Sequence, residues 1–346
     1  MSYHQFSLKQ WHTFGIDVYA NNIVIAKSKA ALFCQCWQKK TWKTEPILLL
    51  GQGSNVLFLQ NFDGKVLINR IKGINIVETT DSWLLHVGAG ENWHKLVKMT
   101  LDKGLGGLEN LALIPGCVGS APIQNIGAYD LELDQVCEYV DVVFLSDGEH
   151  RRFNTIECCF GYRDSIFKHS YKDQYVVIAV GFKLKKKWKP ILTYSHLRYL
   201  NPKTVTPIQV FNAICRIRRR KLPNPNIIGN AGSFFKNPLI TTSLASDLLV
   251  RYPNIPQYLQ KDGKVKLSAG QLIDHCLLKG LRIGGAAVHK KQAIVLINTG
   301  TASSEDVVNL ARIVRKRVAE KFNVLLEPEV CFISSRGITD SVEVIT

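Results

Sequence analysis

The sequence predicts an α+β protein of several domains, and three observations predict it. Short apolar runs of strand length recur up to about residue 184, at residues 47–50, 83–87, 140–145 and 175–184. Amphipathic helical patterns gather in the last third. The chain, at 346 residues, is long enough for two or three domains with separate cores.

Residues 1–70 read as short strands with one helix around residues 29–39. The apolar run 47–50 leads directly into Gly51-Gln52-Gly53-Ser54-Asn55 and leaves through Val56, Leu57 and Phe58. A Gly-x-Gly turn ending a strand offers N–H groups and a Ser hydroxyl to phosphate oxygens. It is not the dinucleotide fingerprint, because the third Gly is missing and the following residues read as a strand rather than a helix.

From Gly73 to about Leu222 further strand patterns follow, interrupted by the glycine-rich run 105–134. That run is too apolar for a solvated loop and too rich in Gly and Pro for one helix, so its backbone must turn repeatedly while buried. It reads either as a bed for a large anionic cofactor or as a set of tight core turns.

The third part begins near Pro223, where Pro223-Asn224-Pro225-Asn226 marks a non-helical link. A helix is expected at 269–279, a strand at 293–298, and a helix starting at Ser303 with Asp306 as its capping-box partner. In that last helix Val307, Leu310, Ala311, Val314 and Val318 form the apolar stripe, and its Arg and Lys residues are expected on a solvated face. A final strand around residues 330–334 is expected to return to the first domain. No internal repeat or low-complexity tract is present.

With 44 Lys and Arg against 28 Asp and Glu, the formal charge of +16 points to an anionic partner. The densest basic runs, 183–189, 216–221 and 312–317, carry no nucleic-acid motif, and no nucleic acid is expected as a partner. No stretch approaches the roughly 20 apolar residues of a membrane span, and the first residues lack signal-peptide features. No membrane partner and a cytoplasmic location are expected. The nine cysteines show no Cys-x-x-Cys spacing, which favours reduced thiols over disulfides or zinc, and no metal is expected.

Five stretches then carry a resemblance. They are Gly51-Gln-Gly-Ser-Asn55, Ile114-Pro-Gly-Cys-Val-Gly-Ser-Ala-Pro-Ile-Gln-Asn-Ile-Gly-Ala-Tyr129, Phe160-Gly-Tyr-Arg-Asp-Ser-Ile-Phe-Lys168, Gly229-Asn-Ala-Gly-Ser-Phe-Phe-Lys-Asn-Pro238 and Leu326-Glu-Pro-Glu-Val330. In this order they resemble the bacterial enolpyruvyl-UDP-N-acetylglucosamine reductases, longer-chain type I subgroup. The likeness extends from Trp11-His-Thr-Phe-Gly15 to the last strand.

The resemblance implies a vanillyl-alcohol-oxidase/PCMH-type two-subdomain FAD-binding fold with a C-terminal α+β substrate-binding domain. It implies FAD subdomains at 1–70 (rejoined by residues 328–346) and 71–222, and a substrate domain at 223–327. The implied activity is NADPH-dependent reduction of UDP-N-acetylglucosamine enolpyruvate to UDP-N-acetylmuramate in peptidoglycan synthesis, by a monomer. Gly51 to Asn55 contains no His or Cys, so FAD is expected to be noncovalent.

Reducing an enol ether conjugated to a carboxylate needs a hydride at one carbon, a proton at the other and stabilisation of the developing enolate. The resemblance assigns Arg163 to the carboxylate and enolate, Glu329 to the same enolate, and Ser233 to proton delivery. Read alone, Arg163 would pair with Asp164, Ser233 would be a turn residue and Glu329 a solvated strand end. A Ser donor needs alkoxide-stabilising neighbours, for which Lys221, Lys236 and backbone N–H groups are available in the sequence. Substrate positioning carries over onto Tyr194, Lys221, Asn237, Tyr258 and Gln292. The flavin side carries over onto Gly51, Gly53, Ser54, Asn55, Pro115, Gly116, Gly119, Ser120, Gln124, Asn125 and Gly127.

Two departures stand out. Cys331 occupies a position where the family commonly has Arg, so a cation such as Arg218 is expected to replace it, and Asp130 follows Tyr129 where Gly is common. Another FAD oxidoreductase or oxidase of the same fold, and a basic nucleic-acid-binding module, are the competing readings.

Overall fold

The fold is that of a computed structural model, which describes residues 5–33, 45–170, 174–260 and 262–346. The chain divides into two compact units: Asn21–Gly53 with Asp63–Arg220, and Ser54–Phe62 with Lys221–Thr346 and the segment ending at Ala20. Among the described residues the helices are α1 (Lys29–Phe33), α2 (Trp93–Asp102), α3 (Pro207–Lys221), α4 (Thr242–Arg251), α5 (Ala269–His275), α6 (Ser304–Phe322) and α7 (Ser341–Ile345). The remainder of the helix expected at 29–39 lies outside the described residues, as do Cys34 and Cys36.

The first unit is built on a five-stranded antiparallel sheet in the order His150–Asn154, Cys137–Phe144, Tyr175–Lys185, Ser82–Gly88, Ile74–Glu78. Its central strand is buried along nearly its whole length, which explains why it reads as a continuous apolar run rather than an alternating one. Val177, Val180, Phe182 and Leu184 join a core with Trp93, Leu96 and Val97 of α2 and Val210, Phe211 and Ile214 of α3. Val176 and Ile178 join a second core with Ala26, Leu32, Leu67 and Ile71. In that layer Ile47–Leu50 runs parallel to Phe62–Asn69, with Ile47 opposite Lys65 and Leu50 opposite Ile68.

The second unit holds three small sheets. One has the order Gly229–Asn230, Leu296–Asn298, Ala286–Val288, Arg282–Ile283, and α6 lies against it. A second joins Leu239–Ile240, Val265–Leu267 and Gln257–Leu259. In the third, Cys331–Ser334 pairs in parallel with Val56–Phe58, so the strand expected near the C-terminus meets one from the first sixty residues.

The stripe expected on α6 is buried at Val307, Leu310, Ala311, Val314 and Val318. Ser303 and Asp306 form the reciprocal cap. Two expectations need correcting. The strand at 293–298 is only Leu296–Asn298, because Val295 N–H closes a turn onto Gln292 O. The basic face of α6 is not simply solvated: Arg312 donates to Val344 O, and Arg315 to Leu326 O and Thr346 Oγ1, which fastens α7.

Candidate functional site

In the first unit, Gly51 ends its strand with its carbonyl accepting from Arg70 Nη1 at 2.8 Å. A side chain at Gly51 would collide with Cys117 Sγ, so the two glycine-bearing loops lie directly against each other. Gly53 takes φ +60° and Gly116 φ +123°, both left-handed positions that favour glycine. Gly119 is required for packing: a Cβ there would sit 2.5 Å from Ala89 Cβ.

The N–H groups of the run are engaged more fully than its composition suggests. Those of Val118, Gly119, Ser120 and Ala121 donate to Glu91 O, Ala89 O, Cys117 O and Val118 O, and the Ser120 hydroxyl also turns to Cys117 O. The anion-binding concavity expected of this run is therefore not formed from these donors. Asn125, left-handed and fully buried, gives its amide to Gly161 O and Glu132 Oε2 and accepts from Asp134 N–H. It ties three segments together.

Gly127 seats Arg163. The Arg163 Nη2 donates to Gly127 O at 2.8 Å, and a Cβ on Gly127 would come within 3.1 Å of Nη1. Arg163 itself is left-handed at φ +54°, inside a turn closed by reciprocal Gly161 and Asp164 backbone bonds and by Lys168 Nζ on Arg163 O. Asp164 pairs with His169 Nε2 at 2.8 Å, so the Arg163–Asp164 pairing is not the one formed.

Tyr194 meets Tyr129 edge-on at 4.9 Å. Tyr129 and Asp130 form the two-residue turn between Gly127–Ala128 and Leu131–Glu132, with φ of +51° and +63°, the primed turn of a tight hairpin. Asp130 tolerates that conformation and accepts from Thr193 Oγ1 at 2.6 Å, while Asn110 Nδ2 donates to Tyr129 O and Ile191 O. Arg218 reaches the Tyr129 hydroxyl, and its Nε is shielded from solvent without a hydrogen-bond partner. Burial pushes the Tyr129 phenol up and the Arg218 guanidinium down.

In the second unit, Asn230 builds the turn that carries Ser233. Its Oδ1 accepts from Gly232 N–H, its Nδ2 donates to Ile228 O, its N–H donates to Thr13 O, and its carbonyl accepts from the Thr13 hydroxyl. Gly232 at φ +74° presents half-buried Ser233 beside buried Phe234. Phe234 O accepts from Glu329 N–H at 2.8 Å, and Lys236 N–H donates to Glu327 O. Ser233 and Glu329 are thus carried on adjacent antiparallel segments. Asn55 fixes that pairing, donating from Nδ2 to Glu329 O and accepting from Cys331 N–H.

Asn237 Oδ1 accepts from Ala269 N–H at the start of α5, leaving its amide nitrogen as the group suited to a ligand. Gln292 Oε1 would lie 3.4 Å from a Cβ on Gly270 in the same helix. Tyr258 stands half exposed on an outer strand opposite Lys266, and Lys221 is the last residue of α3. Gln124, Pro115 and Ser54 are placed in their loops as the sequence orders them. Sequence reasoning missed Arg70, Asn110 and Asn230, whose roles come from contacts made far along the chain. Only Asn230, inside a quoted motif, carried a signal.

The family model of the UDP-N-acetylenolpyruvoylglucosamine reductase C-terminal domain matches residues 224–333, and the FAD binding domain model matches residues 22–154. The reductase of that name from Escherichia coli strain K12 is 59% identical over 98% of this chain and 99% of its own. The chain belongs to the UDP-N-acetylenolpyruvoylglucosamine reductase family. The Salmonella typhimurium LT2 reductase is 58% identical over 97% of this chain and 98% of its own. The crystal structure of the Thermus caldophilus reductase superposes with a TM-score of 0.65 at 26% identity, covering 95% of this chain and 98% of that one. The fold class is accordingly α+β, a vanillyl-alcohol-oxidase-type FAD-binding fold with a C-terminal α+β domain.

The residues present fit FAD. Within the first unit, two glycine-bearing loops lie in contact, Arg70 at the end of the strand Phe62–Asn69 donates to the Gly51 carbonyl, and the buried Arg218 Nε has no hydrogen-bond partner, so cations stand with these loops as an anionic dinucleotide requires. Among the described residues no group of three His, Cys, Asp or Glu gathers that could hold a metal ion, and no helix is long and apolar enough to cross a membrane.

Proposed function

We propose that this protein reduces UDP-N-acetylglucosamine enolpyruvate to UDP-N-acetylmuramate with NADPH, as a cytoplasmic monomer in peptidoglycan precursor synthesis. The 59% identity across 98% of the chain carries the reading. Bound FAD, held noncovalently, supplies the two-electron chemistry between NADPH and the substrate. The chain supplies charge, position and a proton.

Arg163 binds the carboxylate and its developing enolate, because its guanidinium stays charged and is held in a fixed plane by Gly127 O. Ser233 delivers the proton to the carbanionic carbon, and Glu329 acts on the enolate. Lys221, Asn237, Tyr194, Tyr258 and Gln292 hold the nucleotide portion. Lys236 lies 3.3 Å from Glu327, and it and Lys221 are the two cations proposed to stabilise an alkoxide.

Ser233→Ala tests the assignment. Reduction of the flavin by NADPH should proceed nearly unchanged, while anaerobic reoxidation by the enolpyruvyl sugar should slow by about 10²–10⁴-fold, the range for a positioned acid–base group. Stopped-flow absorbance of the pre-reduced variant reads this directly. Reoxidation at the unmutated rate removes Ser233 as donor, and fast reoxidation by oxygen alone favours an oxidase.

A further inference from the structure

The beginning of α2 is laced to the glycine-rich run at four points. Trp93 N–H donates to Gly116 O at 3.1 Å and its indole to Leu111 O at 2.9 Å. Val118 N–H donates to Glu91 O at 2.9 Å, and Leu113 N–H donates to His94 Nδ1 at 3.1 Å. The first three bonds use groups that do not titrate. The fourth exists only while His94 Nδ1 carries no proton, which places the imidazole hydrogen on Nε2.

Leu113 is the strained member of this segment. It takes φ +57°, a left-handed conformation that a branched side chain rarely adopts, two residues before Pro115. Such a residue persists where its surroundings over-determine it, and the bond to His94 is one of the constraints. The imidazole is itself fixed, stacked on Phe211 of α3 with centroids 5.6 Å apart and planes 4° from parallel.

We propose that neutral His94 is a positioning residue for the FAD loop: by accepting the Leu113 N–H it holds residues 113–116 in the shape that receives the cofactor, and its protonation releases that hold. A protonated Nδ1 would set one donor against another. The charged groups acting on the ring are Lys98 on α2 and Arg218 and Arg219 on α3, all cations. With half-burial as the larger cause, they hold His94 below the ordinary histidine value. The inference rests on FAD binding alone and is indifferent to which sugar nucleotide is reduced, so the two readings fail separately.

The test is the FAD dissociation constant of the holoprotein, read on dilution by flavin fluorescence from pH 5 to 8. Wild type should bind with constant affinity around neutral pH and weaken by up to about tenfold per unit only once the pH falls through the lowered His94 value, toward the acid end of this range. His94→Gln, which keeps an acceptor that does not titrate, should bind within about threefold of wild type at pH 8 and lose this slope. His94→Leu should bind about tenfold more weakly at pH 8 and also lack the slope. Equal slopes in wild type and His94→Gln, or wild-type affinity in His94→Leu at pH 8, would overturn the proposal. Should His94→Leu fail to fold, the His94 ring ¹⁵N shifts in the wild-type holoprotein, assigned by difference from His94→Gln, decide. A neutral Nε2–H ring at pH 7.5 supports the proposal, and an imidazolium overturns it.

Discussion

At position 130 the backbone asks for glycine, and the chain places aspartate there. Its φ of +63° is tolerated because a short polar side chain suits the left-handed region, and its carboxylate accepts from the Thr193 hydroxyl. Asp130→Ala keeps the strained backbone and loses the bond, so it should destabilise the protein by ~1–2 kcal/mol. Asp130→Gly should cost less, and denaturant melts of the two variants give the comparison. His12 presents a second residue-scale case. It is 5% exposed, Nε2 meets Ile16 O at 3.0 Å, Nδ1 has no partner, and burial pushes its pKa down to about 4. Because the folded value lies below the unfolded 6.5, the unfolded chain binds the extra proton between them, and stability falls as pH drops through that window. The loss is on the order of 2 kcal/mol by pH 5. His12→Gln, neutral throughout, should narrow the gap between melting temperatures at pH 7 and pH 5. Asp130 showed in the sequence as a departure from glycine, but its partner Thr193, 63 positions away, did not, and nothing local shows His12 buried.

Elements were legible wherever their signals are local. Strand 47–50, the buried central strand and the α6 cap all follow from runs of apolar residues or from a Ser and an Asp three positions apart. The helix expected at 269–279 stops at His275, because Leu277 turns left-handed at φ +58° while 89% exposed. Glycine usually makes that stop, so a leucine there gives no warning. The glycine-rich run was read correctly as buried and repeatedly turned, yet its donors are engaged by the segment leading into α2 and by the run itself, which composition cannot reveal. At the α6 cap, Asp306 Oδ2 accepts from both Ser303 and Gly285 N–H. Ser303→Ala should therefore cost about 1 kcal/mol. Asp306→Ala should cost more, since it frees two donors, and urea midpoints of both variants would order them.

Among the described residues, the chain passes between the two units four times, at residues 20–21, 53–54, 62–63 and 220–221. A single cut cannot separate them. A fragment ending at Arg220 keeps Val56–Phe58 but removes its parallel partner Cys331–Ser334, leaving fully buried Leu57 and Phe58 uncovered. That fragment should aggregate or bind a hydrophobic dye, whereas the full chain should not. A soluble, dye-silent fragment with native-like circular dichroism would contradict this.

The same pairing sets an order of events on the ribosome. Val56–Phe58 leaves the exit tunnel roughly 270 residues before Cys331, on the order of half a minute at ordinary bacterial elongation rates. The waiting is not confined to that strand, for Phe14 and Gly15 carbonyls depend on the amide of Asn298. Throughout that interval the nascent chain carries apolar strands whose mates do not yet exist, the kind of exposed surface that holdase chaperones cover. The second unit can therefore close only after Cys331–Ser334 has emerged, and slowing translation should lengthen its exposure rather than help it fold.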